Sequence, residues 1–131
     1  MKKQGILNRE IASVLARLGH TDTIVIADCG LPVPDGVKCI DVSLSIGEPG
    51  LVQVLTKVME DMEIEAATIA QEMESKNAPV FNKLQDCLSG IEVQQLPHEQ
   101  FKKDAKQSKM IIRTGEATPY SNVMLHAGVI F

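Results

Sequence analysis

Apolar and polar positions along this chain switch repeatedly between a period of two and a period near three and a half. Thr23-Ile-Val-Ile-Ala27 is an unbroken apolar run, the pattern of a strand buried on both faces of an α/β sheet. Before it, Ile11, Val14, Leu15 and Leu18 recur at helical spacing. They predict a helix over Asn8 to Leu18, with Asn8 as N-cap and Gly19 ending it in a left-handed turn. Lys38 to Leu44 reads as a second strand. Leu51, Val54, Leu55, Val58 and Met62 share a face and predict a helix from Leu51 to about Asp61, with Pro49 placed for its first turn. Ile64 to Ala70 suits either state, but its alternation and the rhythm of elements favour a strand.

Pro79 to Leu88 then predicts a helix closed by Gly90. Ile91 to Leu96 predicts a strand ended by Pro97, and His98 to Lys106 a short polar helix. Met110 to Arg113 and Asn122 to Phe131 predict two last strands around the turn Thr114 to Pro119. Strands alternating with helices imply an α/β fold: a single domain over residues 1–131, with a mixed, mainly parallel sheet and flanking helices. The last two strands, joined only by a turn, are the pair expected to run antiparallel. The apolar end at Val129-Ile-Phe131 is expected to lie against another subunit, since symmetric homo-oligomers are common.

Composition narrows the function classes. With 131 residues, 44% hydrophobic and 23% charged, the chain can build its own core. A net charge of −4 argues against a nucleic-acid binder. No apolar run approaches a membrane span, and Met1-Lys-Lys-Gln-Gly5 has no apolar stretch behind it, so no signal peptide is expected. Cys29, Cys39 and Cys87 are odd in number and unpaired in spacing. They are most simply reduced thiols, which places the protein in the cytoplasm.

Three clusters carry candidate chemistry. His20 and Asp28 flank the first strand, the histidine before it and the carboxylate at its exit, where ligands of open α/β sheets bind. The plainer alternatives are a helix-capping histidine and an Asx-turn from Asp28 to Gly30. His98 and Lys102, four apart on one helical face, could hold the hydroxyls of a small polar ligand; a solvated helix face is the alternative. Tyr120, Ser121 and Asn122 combine a ring, a hydroxyl and an amide in one turn, the groups that carbohydrates require, or else form an ordinary β-turn. His20, His98 and His126 are far apart and no CxxC occurs, so no metal site is expected. No P-loop or G-x-G-x-x-G supports a nucleotide cofactor. Chemistry at Cys29, or phosphorylation of His20, is a rival that leaves the Tyr120 turn unexplained.

The order GHTDxIVIxDxGxPxP at residues 19–34, PHEQFK at 97–102 and TGExTPYxNVxLxxGVxF at 114–131 resembles the ribose pyranase family, related to the L-fucose mutarotases. The resemblance spans the whole chain. It implies a cytoplasmic isomerase that interconverts the pyranose and furanose forms of D-ribose without cofactor or metal. It further implies a homo-oligomer, a decamer of two pentameric rings, with sites where subunits meet. His20 is implied as the catalytic acid, and Asp28, His98 and the Tyr120–Asn122 turn as sugar contacts. Lys102 is added from its helical position. His20 and Asp28 are expected to form one half of the site, and His98 with the Tyr120 turn the other half, from the next subunit. A non-catalytic ribose-binding accessory of an uptake system is the alternative function.

Overall fold

The computed structural model describes residues 1–131. Six strands form one sheet: β1 (Thr23–Ala27), β2 (Cys39–Asp41), β3 (Ile64–Ala70), β4 (Glu92–Leu96), β5 (Ile111–Arg113) and β6 (Val123–Ala127). Their order across the sheet is β2-β5-β1-β6-β3-β4. The β1–β5, β2–β5 and β3–β4 pairs are parallel, and only β6 runs against its neighbours β1 and β3. The mixed, mainly parallel sheet predicted from the sequence is what forms. The predicted pairing of the last two strands is not. β1 lies between β5 and β6, so the turn joining them crosses over the exit of β1 instead of closing a hairpin.

Alternate residues of the central strands feed two cores. Ile24 and Ile26, Ile112, Val123 and Leu125, and Ala67 and Ile69 point to one face. Helices α1 (Arg9–Leu15), α2 (Leu51–Asp61), α3 (Glu72–Lys76) and α4 (Ala78–Cys87) cover it through Ile11, Leu55, Met73 and Leu84. Val25, Ala27, Ile111 and Met124 point to the other face. Leu31, helix α5 (His98–Asp104) through Phe101, and the following 3₁₀ turn through Ala105 cover that side. This two-sided burial is why β1 carries no polar alternation.

Element boundaries differ from the sequence reading where local chemistry overrides periodicity. Asn8 does cap α1, accepting from the amides of Glu10 and Ile11, but the helix ends at Leu15. The chain beyond tightens into turns, with Arg17 and Leu18 bonding back three residues, so Leu18 leaves the helix. The left-handed residue here is Thr21, with φ 72°, not Gly19. Gly90 does adopt positive φ after α4. Pro49 stands ahead of α2, whose N-cap is Gly50. Helix α3 was not predicted: five residues with one buried side chain, Met73, make no periodic signal. β2 and β6 are shorter than predicted, and Ile130 and Phe131 lie exposed past the sheet.

On β6, His126 bonds Thr68 Oγ1 at 2.9 Å. Burial lowers its pKa from the usual 6.5, against the opposing pull of Glu65 and Glu92. The fold therefore favours the neutral ring, and the unfolded chain binds more protons at acid pH. Stability from this site is complete above 6.5 and falls as pH drops toward the lower folded value. Denaturant titrations across that window should show a loss of stability on acidification that is smaller in His126→Gln.

Candidate active site

The carboxyl ends of β1 and β4 and the entry to β6 meet at one edge of the sheet. Asp28 leaves β1 there, His98 opens α5 directly after β4, and Asn122 precedes β6. Asp28 Oδ1 accepts from the amide of Gly30 at 2.9 Å, the Asx-turn anticipated from the sequence. Its Oδ2 accepts from Asn122 Nδ2 at 3.0 Å, while Asn122 Oδ1 accepts from the Asp28 amide at 2.9 Å. The two residues thus bond each other in both directions, and Asn122 is fully buried.

The turn before β6 is a scaffold as well as a lining. Thr114 Oγ1 donates to the carbonyl of Ala27 and accepts from the amide of Glu116, so the Thr-Gly-Glu segment zips onto the exit of β1. Glu116 Oε2 accepts from the Leu51 amide, placing a carboxylate at the N-terminus of α2, where the helix dipole favours it. Tyr120 adopts φ 58°, a left-handed conformation that costs a non-glycine residue about 1 kcal/mol or more. Its ring meets the His98 ring edge-on, with centroids 5.1 Å apart and planes at 82°. The His98 amide donates to both carboxylate oxygens of Glu72, at 2.8 and 3.2 Å, which ties the start of α5 to α3. His98 Nδ1 is buried without a partner, so Nε2 is the ring nitrogen open to a ligand. Lys102, about a third exposed, pairs with Glu99.

Asp28, Gly30, Pro32, His98, Lys102 and Tyr120 line an open cleft of about 440 Å³. Most of the sequence-predicted residues therefore converge within one chain, across 92 positions from Asp28 to Tyr120 (120 − 28). Three of the predicted residues lie outside the cleft lining. Ser121 is fully buried, its hydroxyl engaged with Asn77 and Thr118, so its side chain does not face the cleft; neither does that of Asn122, which serves Asp28. His20 is not in this cleft at all. It lies at the opposite end of β1, a five-residue strand that spans about 16 Å. Its Nε2 lies 2.8 Å from Glu65 Oε2, with the imidazole 53% exposed. The expected grouping is His20 with Asp28 and His98 with the Tyr120 turn; within one chain Asp28 instead shares a cleft with His98 and Tyr120, and His20 lies at the other end of β1 beside Glu65.

Sequence reasoning missed Glu65, Glu72 and Asn77, which bond His20, His98 and Ser121. Each is more than twenty residues from its partner, so no spacing rule reveals it.

Fold and cleft together define a small α/β protein with a polar, sugar-sized recess at the carboxyl edge of its sheet. The chain belongs to the RbsD / FucU transport protein family, whose profile matches residues 1–130. It is 55% identical to a D-ribose pyranase of Bacillus cytotoxicus and 59% identical to one of Bacillus cereus, over all 131 residues and the full length of each relative. The solved structure of Bacillus subtilis RbsD complexed with D-ribose is 49% identical and superposes with a TM-score of 0.98, covering all of both chains. A fucose mutarotase from Streptococcus pneumoniae, solved with L-fucose, shares the fold at a TM-score of 0.82 and 20% identity, over 95% of each chain.

Gly115 shows how tightly the cleft's scaffold is built. A methyl there would lie 2.5 Å from the carbonyl oxygens of Ser45 and Glu48, both backbone atoms. Gly115→Ala should cost about 1–3 kcal/mol of unfolding free energy by denaturant titration.

Proposed function

We propose that this protein is an isomerase that interconverts the pyranose and furanose ring forms of D-ribose. The observation that carries this reading is the full-length match to the ribose-bound relative, with a TM-score of 0.98. The D-ribose pyranases at 55–59% identity support it.

Ring-form exchange needs the anomeric hydroxyl to lose its proton and the ring oxygen to gain one. The bond between the anomeric carbon and the ring oxygen then breaks, giving the open aldehyde. A different hydroxyl adds to that carbonyl, its proton leaves, and the carbonyl oxygen takes one up. The balance is two proton transfers each way, with no redox change, and positioned acid–base groups suffice. In the cleft, Asp28 and the open Nε2 of His98 offer an acceptor and a ring nitrogen to sugar hydroxyls, Lys102 offers an ammonium, and Tyr120 an aromatic face. Ser121 and Asn122 are buried behind the cleft: Ser121 braces the turn that carries Tyr120, and Asn122 fixes Asp28.

His20 is the catalytic acid, acting in the cleft of a neighbouring subunit. Its exposure, and its place at the far end of β1 from its own cleft, support this reading. Glu65, 2.8 Å away, orients its ring. The site is then complete only in a homo-oligomer, and the decamer of two pentameric rings implied by the resemblance would provide it. Leu44, Ile46, Ile130 and Phe131, each at least 84% exposed in the single chain, are apolar surface suited to such contacts. The three unpaired cysteines fit a cytoplasmic location, and no helix is long and apolar enough to cross a membrane.

Saturation-transfer NMR of ribose, with and without the protein, tests the function. Faster exchange between ring forms is expected; saturable binding with no acceleration would instead favour a ribose-binding accessory. His20→Ala should lower the exchange rate by about 10²–10⁴-fold with the fold intact by circular dichroism. Co-assembling His20→Ala and Asp28→Asn subunits, each inactive alone, should restore roughly one site in four, since the two halves come from different copies across a heterologous interface. No recovery would overturn the assignment of His20 to a neighbouring subunit's cleft.

A further inference from the structure

We propose that Asn77 is a positioning residue for Tyr120, holding the aromatic wall of the cleft through a directed chain of hydrogen bonds. This rests on the assignment of the cleft to the sugar.

Asn77 sits at the junction of α3 and α4, 7% exposed. Its main chain is fixed at both ends: its amide donates to Met73 O and its carbonyl accepts from Phe81 N. The side-chain Nδ2 has three acceptors within reach: Ser121 Oγ at 2.8 Å, the Pro119 carbonyl at 2.9 Å and Thr118 Oγ1 at 3.0 Å. The carbonyl of Pro119 can only accept, so the amide nitrogen must face it. One hydrogen of Nδ2 goes there.

The second hydrogen is directed by the far end of the network. Thr118 Oγ1 donates to Glu116 Oε1 at 2.7 Å, because the carboxylate only accepts. Thr118 then accepts from Ser121 Oγ at 2.6 Å, and Ser121 accepts from Asn77. The chain runs from Asn77 through Ser121 and Thr118 to Glu116, with every donor used once.

These anchors lie on both sides of Tyr120, at residues 118, 119 and 121. Tyr120 is one of two non-glycine residues with positive φ. A strained conformation persists only where its surroundings over-determine it. No hydrogen bond holds the Tyr120 side chain; its ring packs on the core and against His98, in the direction set by the backbone that Asn77 grips. Aspartate at position 77 would keep the shape but remove both donors and set a carboxylate against the Pro119 carbonyl.

The sequence supplies a local probe, because Tyr120 is the only tyrosine and there is no tryptophan. Intrinsic fluorescence anisotropy of the full oligomer therefore reports this one ring. Asn77→Asp should lower that anisotropy. It should raise the KM for ribose ring exchange about tenfold while changing kcat about twofold or less, the signature of lost binding interactions. In a Tyr120→Ala background the same substitution should leave KM unchanged, since the group it acts through is gone. Asn77→Ser, which keeps one donor, serves if the aspartate variant does not fold, with effects in the same direction of about threefold.

A folded Asn77 variant with wild-type KM and anisotropy overturns the proposal while Tyr120→Ala still raises KM. So does an equal KM effect with and without Tyr120. If Tyr120→Ala itself leaves KM unchanged, the sugar does not use this wall, and the cleft assignment fails with the proposal.

Discussion

The reciprocal pair between Asp28 and Asn122 is the constraint on which the rest of the cleft depends. β6 is the one antiparallel strand, so its entry lies beside the exit of β1. A buried amide there meets a carboxylate and its own backbone amide at once. Hydrogen bonds to a charged group contribute about 1.5–3 kcal/mol, and removing one partner strands the other. Asp28 is thereby held in one orientation. Tyr120 is two residues from Asn122, so the pair anchors one end of the turn whose other contacts Asn77 makes.

Around that pair the helices are attached by their ends. Glu116 caps α2, and Glu72 holds the start of α5 so that His98 opens into the cleft beside Tyr120. The Thr-Gly-Glu segment does not itself line the recess. It binds three backbone segments together, and Gly115 permits their approach. Rigid support of this kind, remote in sequence, is what a binding site on loops requires.

The position of His20 gives the molecule a second organising fact. A strand is stiff and its length is fixed, so a histidine before β1 cannot reach a carboxylate after it. Its proximity in sequence to Asp28 is misleading for that reason. The exposed imidazole, its partner Glu65 and the bare apolar residues Leu44, Ile46 and Phe131 are what the proposed sharing of the site between copies rests on.

Much of the architecture was legible in the sequence. The apolar run at Thr23–Ala27 identified a strand buried on both faces, Asn8 identified a cap, and Ile64–Ala70 was a strand despite helix-forming residues. Asp28, His98, Lys102 and Tyr120 were singled out by residue type and place. These signals are local: periodicity and capping act over a few residues, and the chain carries them whole. The strand order, the partner of Asn122, the engagement of Ser121 and the isolation of His20 were decided only in three dimensions. Each depends on which distant segments the sheet brings side by side. Inserting β1 between β5 and β6 set that, because a strand buried on both faces must also pair its backbone on both edges, and no local pattern states with which strands.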